Sequence, residues 1–257
     1  MNKLEANVIE YLKKFSVLAE KIDESNEKTP DFLVIQEEIV LIELKEKMDS
    51  EEVHASKEEK LSRGEMFQYT SSMAYKNRLA GVIGAGIEQL KAQKEKTMSE
   101  YCLLFIVASG VSPNNQLEQI LSTLYGRRSV IDFDSTNKNS KSCYYAYHSE
   151  FYKHKDIIDA VFVATTENVF LLVNDQSINY KRFLKSGFFS KFIGKINIID
   201  PNKLEEYGQI FIADCTFGRG NQEKVKEYVF EKYGIERGIL IDFPHYTVQS
   251  RINLDEI

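Results

Sequence analysis

Residues 29–45 read Thr-Pro-Asp-Phe-Leu-Val-Ile-Gln-Glu-Glu-Ile-Val-Leu-Ile-Glu-Leu-Lys, and this stretch decides the fold that the chain can adopt. Two short apolar runs, 32–35 and 39–44, flank the polar residues 36–38. Apolar runs of this length around a polar break are typical of two strands joined by a tight turn. We therefore predict a β-hairpin at this position.

Three charged side chains interrupt the apolar hairpin. Asp31 opens the first strand, and Glu43 and Lys45 stand two residues apart at the end of the second. Side chains at i and i+2 of a strand lie on one face, so Glu43 and Lys45 share a face and the hairpin can bring Asp31 beside them. Charges in an apolar setting are costly unless they are paired or hold a metal. The pattern indicates either a salt bridge at a strand end or a functional site.

Pro30-Asp31 followed by Glu43-Leu44-Lys45 resembles the signature of the PD-(D/E)XK nuclease superfamily, which is Pro-Asp, a variable spacer and Asp/Glu-x-Lys. The short spacer is most similar to that of archaeal Holliday-junction resolvases and small restriction-type nucleases. The resemblance covers only the N-terminal part of the chain. It implies an α/β fold with a restriction-endonuclease-like mixed sheet flanked by helices, and the activity of a metal-dependent endonuclease.

The resemblance also implies a role for each motif residue. Asp31 and Glu43 would bind Mg²⁺, for which Mn²⁺ could substitute, and the carbonyl of Leu44 would be a further ligand. Mg²⁺ prefers oxygen ligands and keeps several waters, so one or two carboxylates suffice. Lys45 would orient the water that attacks the phosphodiester bond. The expected substrate is DNA rather than RNA, in restriction, phage defence or repair.

Many members of the superfamily add an acidic residue from the first helix. Glu5, Glu10 and Glu20 are the candidates here. We prefer Glu10 slightly, because resolvase-like members place this acid well before the strands, and Glu20 is almost as good a candidate. For each of them the alternative is a charge on a solvated helix face.

The elements around the hairpin follow the order of the superfamily core. Apolar residues at spacings of three and four predict a helix over 3–23. The highly charged residues 46–62 predict a solvated loop or exposed helix, and 64–96 predicts a long helix. The continuous apolar run 101–108 predicts a strand in the middle of a sheet. Helix, strand, strand, helix, strand is the order that the resemblance implies.

The predicted helix over 64–96 carries three further candidates. Gln68 is placed where some members have a helper residue near the lysine, and Lys76 and Arg78 could contact nucleic-acid phosphates. The glycine-rich run from Gly81 to Gly86 follows no strand and lacks a Gly-Lys-Ser/Thr ending, so we do not interpret it as a phosphate loop. Its glycines are more plausible as positions of close packing or a kink.

Composition sets the broader limits. A chain of 257 residues can form one large domain or two small ones, and we predict a nuclease core over 1–125 followed by a C-terminal α/β region over 126–257 that selects substrate or partners. No apolar run approaches the roughly 20 residues that span a bilayer, and the N-terminus lacks a signal-peptide core, so we expect a cytoplasmic protein without a membrane partner. Two cuts on a duplex would suit a homodimer.

Two other functions remain open on the sequence. The first is a non-catalytic nucleic-acid-binding or regulatory protein on the same fold, which would not bind Mg²⁺ through Asp31 and Glu43. The second is a nuclease that acts on RNA under the control of a ligand. The glycine-rich turn 217–221 precedes a predicted helix and could bind an anion there, although a plain turn is the favoured interpretation.

Overall fold

The computed structural model describes residues 1–23, 28–135, 140–242 and 245–251. Over these ranges the protein is mixed α/β, with a mainly mixed sheet flanked by helices. None of the helices in these ranges combines the length and the apolar character that crossing a membrane requires.

The helices and strands alternate along most of the chain. The helices are α1 (Lys3–Lys13), α2 (Glu51–Ser62), α3 (Asn77–Lys94), α4 (Pro113–Tyr125), α5 (Glu150–Lys153), α6 (Tyr180–Phe183), α7 (Gly187–Ser190), α8 (Pro201–Glu206) and α9 (Gln222–Tyr233). The strands are β1 (Ala19–Lys21), β2 (Phe32–Ile35), β3 (Ile39–Lys47), β4 (Phe67–Ser72), β5 (Tyr101–Ala108), β6 (Arg128–Asp132), β7 (Lys141–Tyr144), β8 (Ala160–Ala164), β9 (Val169–Val173), β10 (Asn197–Ile199), β11 (Phe211–Ile212), β12 (Gly238–Ile241) and β13 (His245–Ser250).

The central sheet has seven strands in the order β1-β2-β3-β5-β8-β9-β10. β3, β5 and β8 are parallel to one another, whereas β1–β2, β2–β3 and β8–β9 are antiparallel. β5 is buried along almost its whole length, because helices cover both faces of the sheet. The predicted strands at 32–35, 39–44 and 101–108 are confirmed.

The two faces of β3 pack against different helices. Leu41 belongs to the core that α3 and α4 cover, and Ile42 belongs to the core that α1 covers. Since side chains alternate along a strand, Glu43 and Lys45 continue the Leu41 face and lie on the α3 side of the sheet. This alternation positions the motif residues beneath α3.

The second half of the chain contributes to the central sheet and also builds a further layer. β8, β9 and β10 extend the sheet that β1, β2, β3 and β5 begin, so the division expected near residue 125 does not coincide with the edge of this sheet. β11, β7, β6 and β12 form a second sheet of four strands, which packs with α9 around its own small core.

The prediction of one helix over 3–23 is wrong beyond Lys13. Ser16 adopts a left-handed φ of 58°, which no helix can continue. The Gln36 side chain holds the bend, because its Nε2 donates to the Ser16 carbonyl at 3.1 Å and its Oε1 accepts from the Leu18 N–H at 3.1 Å. The chain then pairs with β2 as the short edge strand β1.

The prediction of one helix over 64–96 is also wrong in its first part. Phe67–Ser72 is the strand β4, which pairs antiparallel with β13 so that Phe67 faces Ser250. Because β4 pairs with a strand so distant in the sequence, nothing near residues 67–72 indicates the pairing except the alternation of buried and exposed residues. The helix α3 begins only at Asn77. The charged stretch before β4 forms α2, which buries none of its residues, so the expectation of an exposed helix is confirmed.

Candidate functional site

The structure brings Asp31, Glu43, Leu44 and Lys45 together at the ends of β2 and β3. Lys45 Nζ donates a short hydrogen bond to Glu43 Oε1. The Asp31 backbone N–H donates to Glu43 Oε2 at 3.1 Å, and the Leu44 N–H donates to Asp31 Oδ2 at 2.9 Å. The two carboxylates are therefore tied to each other through the backbone of the opposite strand, as the hairpin pattern predicts.

Glu43 is the most deeply placed charge of this group. Its side chain is only 1% exposed, and the side chain of Lys45 is 21% exposed. Burial raises the pKa of Glu43 to about 7, and the Asp31 charge adds to the rise while the hydrogen bond from Lys45 opposes it. A carboxyl group with this pKa changes its protonation state near neutral pH.

Gln89 of α3 completes the surroundings of Lys45. Lys45 Nζ donates to Gln89 Oε1 at 2.8 Å, and Gln89 Nε2 donates to the Thr29 carbonyl at 3.0 Å. Gln89 is thus a second acceptor for the ammonium group beside Glu43, and it ties α3 to the residue before Pro30. The sequence reasoning did not find Gln89. Its spacing of three from Gly86 was the available signal, because it places the two residues on one helix face.

Lys21 links the site to the first helix. Its Nζ donates to Asp31 Oδ1 at 2.8 Å and to Glu5 Oε1 at 2.7 Å. Burial would lower the pKa of Lys21, but the hydrogen bonds to Asp31 and Glu5 outweigh it and raise the pKa. The hydrogen bond from Lys21 in turn lowers the pKa of Glu5. Glu5 is therefore the acid of the first helix that the structure connects to the motif.

The glycine at position 86 makes room for this group beneath α3. A Cβ built on Gly86 would lie 2.9 Å from Leu104 Cδ2, 3.1 Å from Lys45 Cε and 3.2 Å from Glu43 Cγ. These distances are shorter than ordinary contacts, so only glycine permits the helix to approach the two charged side chains this closely. The interpretation of the glycine run as a place of close packing is confirmed at this position.

A divalent cation at this site would need oxygen ligands from Asp31, Glu43 and Leu44. From the described residues, each oxygen of Asp31 and Glu43 accepts one hydrogen bond, and a carboxylate offers about four acceptor sites. The N–H and C=O of a strand residue point to the same side, which turns the Leu44 carbonyl toward the strand that carries Asp31. Across the described ranges, no three His, Cys, Asp or Glu side chains are arranged to hold a metal. The set fits Mg²⁺, which needs only one or two carboxylates.

Other predicted residues are not brought to the group. Glu10 is exposed and its nearest cation is Lys13, 3.9 Å away. At about 100° per residue, Glu10 points roughly 140° around the helix from Glu5. Glu20 is exposed on β1. Gln68 lies on β4 rather than on a helix, is exposed, and stands opposite Gln249. The glutamine that contacts Lys45 is Gln89.

Lys76 and Arg78 lie at the start of α3, beside a cavity of about 360 Å³. The cavity also includes Lys47, which follows Lys45 on the same face of β3. The motif residues line neither this cavity nor a larger one of about 620 Å³, but Lys47 connects the first to the strand that carries them. The predicted phosphate-contacting residues therefore flank the strand end that carries the motif.

The glycine-rich turn 217–221 is held in place by hydrogen bonds from Arg219 within the turn. Arg219 is 9% exposed and donates hydrogen bonds to the carbonyls of Ala213, Tyr145 and Cys215, among others. Asn221 caps α9 by accepting from the Lys224 N–H at 3.1 Å. The arginine thus serves to order the loop, as the interpretation of a plain turn expects.

Comparison of this chain with protein-family models, with curated proteins and with solved structures finds no match.

We expect Gly86→Ala to lower the free energy of unfolding by about 1–3 kcal/mol, because the added methyl group overpacks the space between α3, Leu104 and the two charged side chains. Gly84→Ala is the matched control on the same helix, since a Cβ there meets nothing within 4 Å. The control should be neutral or stabilising by up to about 1 kcal/mol, from helix propensity. Urea denaturation measures both, and equal stability of the two variants would contradict this packing.

We expect the stability of the wild type to fall relative to Glu43→Gln as the pH rises from 4.5 to 8. The pKa of Glu43 rises from 4.5 in the unfolded chain to about 7 in the fold. Between these values the native state keeps a proton that the unfolded chain releases, so raising the pH favours unfolding. The advantage of the variant should grow by on the order of 2–3 kcal/mol. Urea denaturation in EDTA at several pH values tests this, and a difference that stays constant would refute it.

Proposed function

We propose that this protein is a Mg²⁺-dependent nuclease that hydrolyses phosphodiester bonds, with a PD-(D/E)XK site formed by Asp31, Glu43 and Lys45. The observation that carries the proposal is the convergence of these three residues around a carboxyl group that is 1% exposed. Burying two carboxylates and an ammonium side by side is costly, and a catalytic role accounts for that cost.

Each residue has a task that follows from its position. Asp31 and Glu43 would hold the cation, with the Leu44 carbonyl as a further ligand. Bound Mg²⁺ supplies a Lewis acid that lowers the pKa of water and offsets charge on the phosphate. Lys45 projects from the same strand face as Glu43, and its ammonium group orients the attacking water and stabilises negative charge in the transition state. Glu43 and Gln89 keep Lys45 in place.

The fold is in keeping with the resemblance. A helix, an antiparallel strand pair, a helix and a strand parallel to the second of the pair occur in this order as α1, β2, β3, α3 and β5. We propose that these elements form a restriction-endonuclease-like core. Three further elements depart from that simple order: β1 lies between α1 and β2, and α2 and β4 lie between β3 and α3.

DNA is the proposed substrate, with RNA as the second choice. The chain has a net charge of −6, so binding of a polyanion requires cations that are concentrated on one face. Lys76 and Arg78 supply such charges beside the end of β3. Cleavage of both strands of a duplex would be served by a homodimer.

A second candidate is a binding or regulatory protein on the same fold without turnover. The ammonium groups of Lys21 and Lys45 already compensate Asp31 and Glu43 in the absence of any metal. A network that is stable without a cation could serve structure alone. The two candidates differ in whether a divalent cation and Lys45 are needed for a measurable reaction.

We expect purified protein to cleave at least one member of a panel of single-stranded, duplex and branched DNA and of RNA with Mg²⁺ or Mn²⁺, and to lose the activity in EDTA. Lys45→Ala should lower the rate by about 10²-fold or more while the fold survives, because the group that orients the water is removed. Lys91→Ala, an exposed lysine on α3, is the matched control and should cleave like the wild type. Equal metal-dependent cleavage by wild type and Lys45→Ala would exclude the proposed mechanism.

A further inference from the structure

A half-open cavity of about 360 Å³ lies at the carboxyl end of β3. The end of β3 and the loop after it form one wall, β4 forms a second, and α3 with α4 forms the rest. In sheets with parallel strands, ligands commonly bind at the carboxyl ends of those strands. β3 and β5 are parallel and end at Lys47 and Ala108, so the cavity occupies such a position.

Three cationic side chains line this cavity: Lys47, Lys76 and Arg78. Lys47 and Lys76 are half-buried, and burial lowers the pKa of each. The Asp49 charge raises the pKa of Lys47 and the charges of Lys76 and Arg78 lower it, so the net direction is downward. The Asp242 charge only partly offsets the effect of burial on the pKa of Lys76. Three positively charged side chains therefore line one cavity, where they repel one another.

No carboxylate in the described part of the chain pairs with these cations. None of the three takes part in a salt bridge there. Glu46 and Asp49 also line the cavity. Glu46 is exposed, and the Asp49 carboxylate accepts from the Val111 N–H at 2.8 Å and from Gln116 at 3.2 Å. Partly buried cations that form no salt bridge are unfavourable, and an anion in the cavity would relieve that cost.

The cavity continues the strand face that carries the motif. Glu43, Lys45 and Lys47 are spaced two residues apart and therefore share one face of β3. Lys47 lies roughly 6–7 Å beyond Lys45 along the strand. A phosphate that contacts Lys47 would belong to the nucleotide next to the one at Lys45. Ser71 adds a hydroxyl group to the lining, which accepts from Lys76 Nζ at 3.4 Å and from Gln119 at 3.2 Å.

We infer that this cavity is a phosphoryl-binding subsite, in which Lys47, Lys76 and Arg78 hold a phosphate of the substrate strand adjacent to the phosphate that is cut. The inference rests on the proposed function for the identity of the substrate. Lys47 would then position the substrate strand. The subsite also explains why three cations of an acidic protein line one cavity without forming a salt bridge to the described residues.

The test is the binding of a short DNA oligonucleotide, labelled with a fluorophore at its 3′ end, measured by anisotropy in EDTA over a series of salt concentrations. We expect Lys47→Ala and Lys76→Ala each to weaken binding about 5-fold or more and to reduce the salt slope by about 1, as loss of a phosphate contact does. Lys91→Ala is the control for an exposed lysine. Lys47→Arg keeps the charge and should retain most of the affinity, which separates a phosphate contact from a packing role.

Two versions of the oligonucleotide identify the source of the phosphate. If Lys47→Ala weakens binding only of the 5′-phosphorylated strand, the subsite holds a strand end. If it weakens binding of the 5′-phosphorylated and 5′-hydroxyl strands equally, the subsite holds an internal diester. Wild-type affinity in both folded lysine variants, or no binding by the wild type, would overturn the inference.

The binding assay separates this inference from the proposed function. Cleavage that depends on Lys45, together with unchanged binding by Lys47→Ala and Lys76→Ala, would leave the nuclease intact and remove the subsite. Binding that depends on Lys47 and Lys76 without any metal-dependent cleavage would keep a phosphoryl site and remove the nuclease.

Discussion

The burial of the Glu43 carboxyl group constrains the rest of the structure. A carboxylate that is 1% exposed needs partners within hydrogen-bond distance, or it stays protonated. β3 supplies Lys45 on the same face, the residue before β2 supplies the Asp31 N–H, and α3 approaches closely enough to cover the group because residue 86 is glycine. The hairpin, the helix and the packing between them are therefore coupled through one acidic side chain.

Charge compensation in this region extends over three layers. Glu5 on α1 and Asp31, just before β2, share Lys21. Glu43 on β3 shares Lys45 with Gln89 on α3. The network neutralises most of the acidic charge with the protein's own ammonium groups. A divalent cation at Asp31 and Glu43 would favour the ionised form of Glu43, so cation binding should release protons and strengthen as the pH rises toward neutral.

The parts of the fold that the sequence predicts are those with local signals. The hairpin of β2 and β3 and the apolar strand β5 follow from runs of a few residues, and the convergence of Asp31, Glu43 and Lys45 follows from the alternation along those strands. Glu5, Lys21 and Gln89 depend instead on how α1 and α3 dock on the sheet. β4 depends on pairing with β13, across a separation that no local pattern encodes. Gly86 shows how far the sequence can predict the site. Its spacing of three from Gln89 is visible in the sequence, but its contacts with Leu104, Lys45 and Glu43 are not.

If Asp31 and Glu43 together hold a divalent cation, as we propose, calorimetric titration of the folded protein with Mn²⁺ and Mg²⁺ will detect it. We expect saturable binding by the wild type at pH 8 that Asp31→Asn and Glu43→Gln each abolish. Glu10→Gln, which removes an exposed acid from α1, should bind like the wild type. Absence of binding by the wild type, or binding unchanged in Asp31→Asn and Glu43→Gln, would contradict the claim.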